Sequence, residues 1–288
     1  MWSSLANPRK RSFEGSQAHI FDLAGVVMAY QAIDQESALI DKVKIVSPQD
    51  PLRAHSRDHS EHVTDEVFNA GSHFVGATFS LLGLVILVVR SSVQGNPWAI
   101  VGFAIYGSSL VLLFVASFLH HGLSASEAVE RRLRILDYAA IYSLIAGTFT
   151  PLCLVFMHNS WVGWSFLGVI WALAITGAVI NVSYFDKIPK WLPLTTFVSM
   201  GWIGGLAAVP LFDYIGWGGI SLLALGGIVY TAGGVIFITE KPNPVPGKFG
   251  FHEIWHVFVL IAAALHWLMM FCYVSPAAGE ARYGGHER

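Results

Sequence analysis

Long apolar segments separated by short polar breaks make up most of this sequence. From Phe68 onward each apolar segment is about 20 residues long, which is the length a helix needs to cross roughly 30 Å of hydrocarbon. Glycine, proline, asparagine and charged residues form the breaks, as at residues 95–97 and 241–244. The pattern predicts seven transmembrane helices, over residues 68–89, 97–119, 135–157, 161–182, 191–212, 216–239 and 252–274.

Residues 1–65 differ from the rest of the chain because they are rich in charged residues and histidine. Their one apolar stretch, residues 21–32, is too short to span a bilayer. We therefore predict three regions: a polar cytoplasmic tail over 1–65, a seven-helix membrane domain over 66–275, and a short C-terminal tail over 276–288. The expected fold class is an all-α transmembrane helix bundle.

Composition supports a membrane protein. Only 12% of the residues are charged and 54% are hydrophobic, whereas soluble globular domains carry about 25% charged residues. A net charge of −2 also argues against a nucleic-acid partner, which requires a basic surface. The expected partners are membrane lipids, and the expected location is a membrane that the chain crosses several times.

The positions of lysine and arginine predict the orientation of the helices. The N-terminal tail and the breaks on its side of the bundle hold 14 of the 17 lysines and arginines. Because these residues accumulate in cytoplasmic segments, we expect the N-terminus in the cytoplasm and the C-terminus outside.

Polar and ionisable residues in or next to the predicted spans fall into one layer of the bundle. Membrane spans tolerate such residues mainly where they serve a function. In the predicted topology all of the following occupy the cytoplasmic half, with Asp137 near the start of its helix: Glu66, Asn69, His73, Ser117, His120, His121, Asp137, His252, Glu253 and His256.

The spacing of the histidines predicts a zinc site. His252 and His256 are four residues apart, so they project from one helix face and can share an ion. His121, at the end of another helix, is the expected third ligand, although adjacent His120 remains an alternative because only one of the two can face the site. Asp137 and Ser117 are expected beside the bound water. His266 lies too deep to join and suits the wall of a cavity.

A second motif suggests a different chemistry. Residues 252–256 read His-Glu-Ile-Trp-His, which matches the pattern in which two histidines bind zinc and the glutamate is the general base of a metalloprotease. The aspartate ligand expected of intramembrane proteases is missing from the nearest candidate segment, residues 243–246. We therefore expect Glu253 to be a solvent-accessible acidic residue in the first turn of its helix, not a general base.

Taken together, the motifs resemble those of the hemolysin III and progestin/adiponectin receptor family. They run in order as Glu66-x-x-Asn69-x-x-x-His73, Ser117-x-x-x-His121, Leu136-Asp137-Tyr138 and His252-x-x-x-His256. The resemblance covers about residues 60–275. It implies seven helices with a cytoplasmic N-terminus and a zinc ion on three histidines. Transferred to this chain, the metal ligands are His121, His252 and His256, with Asp137 on the zinc-bound water and Ser117 nearby.

The resemblance also implies several functions. The family is similar to the alkaline ceramidases, so the leading expectation is a zinc-dependent hydrolase acting on an amide bond of a ceramide-like lipid. The alternative is a hormone or lipid receptor, or a regulator of membrane homeostasis, in which zinc is structural. A hemolysin-type lytic protein and an intramembrane metalloprotease are further alternatives.

Overall fold

The computed structural model describes residues 44–45, 64–206 and 208–283, and this part of the chain is almost entirely helical. The predicted tail over residues 1–65 lies almost wholly outside the described residues. A two-residue strand, β1 (Lys44–Ile45), pairs antiparallel with β2 (Leu123–Ser124). The helices are α1 (Glu66–Gln94), α2 (Pro97–Gly122), α3 (Glu127–Phe156), α4 (Trp161–Tyr184), α5 (Trp191–Gly205), α6 (Ala208–Thr239), α7 (Phe251–Met269) and, after a π-helical turn (Met270–Val274), α8 (Ser275–Tyr283).

Six of the described helices are long and apolar enough to cross a membrane: α1, α2, α3, α4, α6 and the continuous stretch from α7 to Gly279. Their outward faces carry large hydrophobic side chains, among them Phe79 and Val89 of α1. The chain is therefore a multi-pass integral membrane protein. Helix α5 has 15 residues, which corresponds to a length of about 22 Å, less than the thickness of the hydrocarbon core.

Several helix boundaries differ from the predicted spans. Helix α3 begins at Glu127, well before the predicted start at residue 135. Its polar first turns lie beyond the apolar segment, and Arg131 there forms an ion pair with Asp186. Hydropathy detects only the part of a helix that lies in the membrane, so it missed these turns.

None of the described helices ends at the break predicted between residues 212 and 216. Helix α5 ends at Gly205, and α6 begins at Ala208 and is interrupted at Gly216, which has φ 56° and ψ −170°. Glycine populates positive φ without the clash that a Cβ atom causes, so the turn is possible there. The predicted 191–212 span is thus divided between α5 and the first part of α6.

Neighbouring helices in sequence pack side by side, and α1 also contacts α7. The apolar segment of α3 is the most buried of the six membrane-capable helices, which places α3 near the centre of the bundle. Because α1 packs on both α2 and α7, the start of α1, the end of α2 and the start of α7 meet at one end of the bundle. This end carries the polar residues that the sequence placed in one layer.

Candidate metal centre

Three buried histidines from two helices form the centre of this polar layer. His121 lies in the last turn of α2, and His252 and His256 lie one turn apart in the first turns of α7. Their exposed fractions are 1%, 4% and 2%. One ligand-capable atom from each of the three lies within 4.8 Å of the other two. The structure thus brings together the three residues predicted as metal ligands.

The distances within this group, which we call the histidine triad, suit a metal ion. The Nε2 atoms of His121 and His252 are 3.4 Å apart. Two imidazole nitrogens bound to one tetrahedral ion at 2.0–2.1 Å would be separated by about 3.4 Å. Neutral imidazoles are also ligands that zinc and other transition metals accept. The triad can therefore hold a metal ion.

Glu66 fixes the orientation of His121. Its Oε2 atom lies 2.5 Å from His121 Nδ1, and its Oε1 accepts a hydrogen bond of 2.8 Å from the Thr64 hydroxyl. A carboxylate that accepts from one ring nitrogen leaves the other nitrogen of a metal-binding histidine free to coordinate. This contact favours His121 over His120 as the metal ligand. The sequence motif included Glu66 but gave it no role.

Asp137 and Ser117 lie beside the triad, as the sequence predicted. Ser117 and Asp137 line the same cavity as the triad, and Asp137 forms a second close group with His120 and His121, again within 4.8 Å. The expectation that Asp137 opens its helix was wrong. Because α3 begins at Glu127, Asp137 lies about three turns inside the helix, where the stabilisation of a carboxylate by the helix N-terminus has faded.

Glu253 is a buried structural carboxylate, with an exposed fraction of 1%. Its Oε1 accepts hydrogen bonds from the Asp65 amide at 2.6 Å and from Asn69 Nδ2 at 3.2 Å, and its Oε2 accepts from the Gly250 amide at 2.8 Å. The predicted solvent access of Glu253 was therefore wrong, because α1 covers it. Its contacts join the start of α1 to the start of α7.

Two further buried histidines, His73 and His266, are not part of the triad. His73 stacks on His256, with ring centroids 3.8 Å apart and an angle of 23° between the ring planes. His266 lies deeper, and its Nε2 donates a hydrogen bond of 3.2 Å to the Leu223 carbonyl. The sequence predicted that His266 lies too deep to join the triad and belongs to the wall of a cavity, and its position confirms this.

The triad faces a cavity of about 350 Å³ inside the bundle. This volume falls in the range of small-molecule binding sites. Asp137 and His120 line it close to the triad, whereas most of its wall is apolar and comes from α3, α5, α6 and α7. Representative apolar lining residues are Leu144, Phe149, Phe197, Leu223 and Val259. A ligand with a polar group at the triad and a long apolar part would match this lining.

Comparison with known proteins identifies the family. The sequence profile of the family described as Haemolysin-III related matches residues 61–267, a range that includes every site residue described above. The chain belongs to the haemolysin-III related family. This assignment confirms the resemblance to the hemolysin III and progestin/adiponectin receptor family.

Individual relatives cover most of the membrane domain. Hemolysin-3 of Bacillus cereus is 37% identical over 219 residues, which are 76% of this chain and 96% of that protein. The hemolysin-3 homolog of Bacillus subtilis (strain 168) is 36% identical over 212 residues, covering 73% of this chain and 93% of that protein. Monocyte to macrophage differentiation factor of Homo sapiens is 28% identical over 187 residues, covering 62% and 72%.

Proposed function

We propose that this protein is a zinc-dependent hydrolase that cleaves an amide bond in a ceramide-like membrane lipid. The observation that carries the proposal is the position of the histidine triad, which lies with Asp137 at the polar end of an otherwise apolar cavity in a membrane protein. A lipid amide combines a polar carbonyl with long apolar chains, so it matches both parts of this cavity.

The triad supplies the donor set expected for a catalytic zinc ion. Catalytic zinc sites in proteins usually have three protein ligands and one position open to water or substrate. His121, His252 and His256 would hold the ion; Glu66 contacts His121, and His73 stacks on His256. When bound, zinc polarises a substrate carbonyl and lowers the pKa of a coordinated water towards about 7.

The remaining residues of the site would handle the proton. Asp137 lies within 4.8 Å of His121 and faces the cavity, so its carboxylate can accept a proton from the attacking water and pass it to the departing amine. Ser117 lines the same cavity, and its hydroxyl would hold this carboxylate in position. Glu253 takes no part, because backbone and side-chain N–H groups already occupy both of its oxygens.

A receptor or membrane-homeostasis regulator with structural zinc is the second candidate function. The observation that favours it is that the triad and its supporting residues connect three helices: Glu66 comes from α1, His121 from α2 and His252 from α7. An ion here would cross-link the bundle even without catalysis. Full zinc occupancy with no turnover of any lipid amide would support this function over the hydrolase.

We also propose that the chain crosses the membrane seven times, with its N-terminus in the cytoplasm. In this topology α5 is the short span, and the first part of α6 continues it beyond Leu206. The distribution of lysine and arginine supports this orientation, in which the triad would lie in the cytoplasmic half of the bilayer.

A pair of substitutions tests the hydrolase. Asp137→Asn should retain zinc but lose at least about 100-fold in turnover, the usual contribution of a positioned acid–base group. Glu253→Gln should keep both zinc and turnover, with a lower melting temperature because one oxygen acceptor is lost. The measurements are zinc content and fatty-acid release from ceramide by the purified protein. An active Asp137→Asn with an inactive, zinc-loaded Glu253→Gln would contradict the proposal and favour a metalloprotease.

A further inference from the structure

His73 is a buried cavity residue to which the proposed mechanism gives no chemical task. Its side chain is 3% exposed and lines the cavity. One ring face stacks on His256, and the ring also packs edge-on against Phe114, with centroids 5.0 Å apart. These contacts hold the imidazole in one orientation immediately beside the triad.

The hydrogen-bonding capacity of His73 is unused among the described residues. Although the backbone of His256 lies close to the ring, neither ring nitrogen makes a hydrogen bond to any described residue. Burying polar atoms without partners is unfavourable, and packing alone does not require them, because phenylalanine would make similar ring contacts. His266 differs, since its Nε2 is bonded to the Leu223 carbonyl.

The unused nitrogens indicate the kind of partner that this position suits. A neutral imidazole offers one N–H donor and one acceptor nitrogen. A hydroxyl or a secondary amide, which can also both donate and accept, would satisfy it. The rest of the cavity wall is mostly apolar, so such a group would belong to the polar end of a lipid.

We infer that His73 is a further substrate-binding residue, which forms a hydrogen bond with the hydroxyl or amide of a lipid whose scissile bond lies at the triad. The inference rests on the proposed function for the identity of the lipid. Because the rings of His73 and His256 stack with centroids 3.8 Å apart, the ring nitrogens of His73 lie beside a proposed metal ligand. His73 would therefore hold the substrate head group beside the reacting carbonyl.

Two substitutions at this position separate hydrogen bonding from packing. His73→Phe preserves a stacked ring and removes both polar atoms, whereas His73→Gln removes the ring and keeps a donor and an acceptor. The matched control is His158→Phe, because His158 also stacks on an aromatic ring, that of Trp98 at 4.9 Å, but lies outside the cavity lining. Zinc content is measured for every variant.

The readout is the affinity for a fluorescent short-chain ceramide in detergent micelles, measured with zinc-loaded and with metal-depleted protein. We expect His73→Phe to keep its zinc and to bind the probe about 10-fold more weakly in both forms, as the loss of one buried hydrogen bond predicts. His73→Gln should recover part of this affinity, and His158→Phe should match the wild type.

Three results would overturn the inference: unchanged affinity in His73→Phe, weaker binding in His73→Gln than in His73→Phe, or no binding of the probe by the wild type. Loss of lipid turnover is a separate result. If the wild type binds the ceramide in a His73-dependent manner but hydrolyses no lipid amide, the hydrolase proposal fails and the role of His73 in binding stands.

Discussion

At the scale of single residues, the contact between Glu66 and His121 explains why one of two adjacent histidines is suited to bind a metal. The hydrogen bond to Nδ1 occupies one ring nitrogen of His121, and Nε2 faces His252 at 3.4 Å. His120 also lies beside Asp137, but it is not part of the triad. A carboxylate on a different helix thus favours His121 over His120 as the metal ligand.

Replacing Glu66 tests this explanation. Glu66→Gln should lower the affinity for zinc by about 10- to 100-fold, because the partners of metal-binding histidines contribute this much to metal sites. The measurement is competition with a zinc chelator of known affinity. Glu127→Gln is the control, since Glu127 is an exposed residue in the first turn of α3 and should leave the affinity unchanged. Equal zinc affinities in the Glu66 and Glu127 variants would show that the contact does not support the site.

The identities of the triad residues could be predicted from the sequence, but their supporting contacts could not. The spacing of His252 and His256 depends only on helix geometry. The hydrogen bonds from Asp65 and Asn69 to Glu253 join residues 188 and 184 positions apart, and only the packing of α1 on α7 creates them. The packing of α1 on α7 also buries Glu253. The sequence does not show this packing, so the solvent access of Glu253 was predicted incorrectly.

At the scale of helices, hydropathy predicted where the apolar segments lie but not where the helices end. The charged first turns of α3 and the helical turns after Val274 extend beyond the apolar segments, so a window that counts hydrophobic residues excludes them. The predicted boundary after residue 212 differs from the structure for another reason. The break in the structure depends on the backbone at Gly216, which interrupts α6 inside a largely apolar sequence, so hydropathy cannot locate the interruption.

Close contact between α2 and α3 depends on Gly102. A Cβ atom at this position would lie 2.7 Å from the Cα atom of Pro151, which is a backbone atom and cannot rotate away. Gly102→Ala should therefore destabilise the protein by about 1–3 kcal/mol through overpacking. Gly168→Ala in α4 is the matched control, because a Cβ there meets nothing within 4 Å. The measurement is thermal unfolding in one detergent, and equal melting temperatures for the two variants would contradict this account of the packing.

At the scale of the whole molecule, the proposed orientation places the tail and the triad on the cytoplasmic side. The two native cysteines, Cys153 and Cys272, can be replaced by serine to give a background for labelling. A single cysteine introduced in the tail should then react with a membrane-impermeant maleimide only after the cells are permeabilised. A cysteine introduced at Asn159, in the connection between α3 and α4, should react in intact cells. The reverse pattern would invert the topology.

The central claim is that His121, His252 and His256 bind one metal ion, and zinc content measures it most directly. Protein purified without chelators and equilibrated with zinc should contain about one zinc ion per chain, as a three-histidine site predicts. His256→Ala should contain far less after the same treatment, while His266→Ala, which changes a cavity histidine outside the triad, should still contain about one. Folded wild-type protein with far less than one zinc ion per chain, or an undiminished zinc content in His256→Ala, would contradict the account.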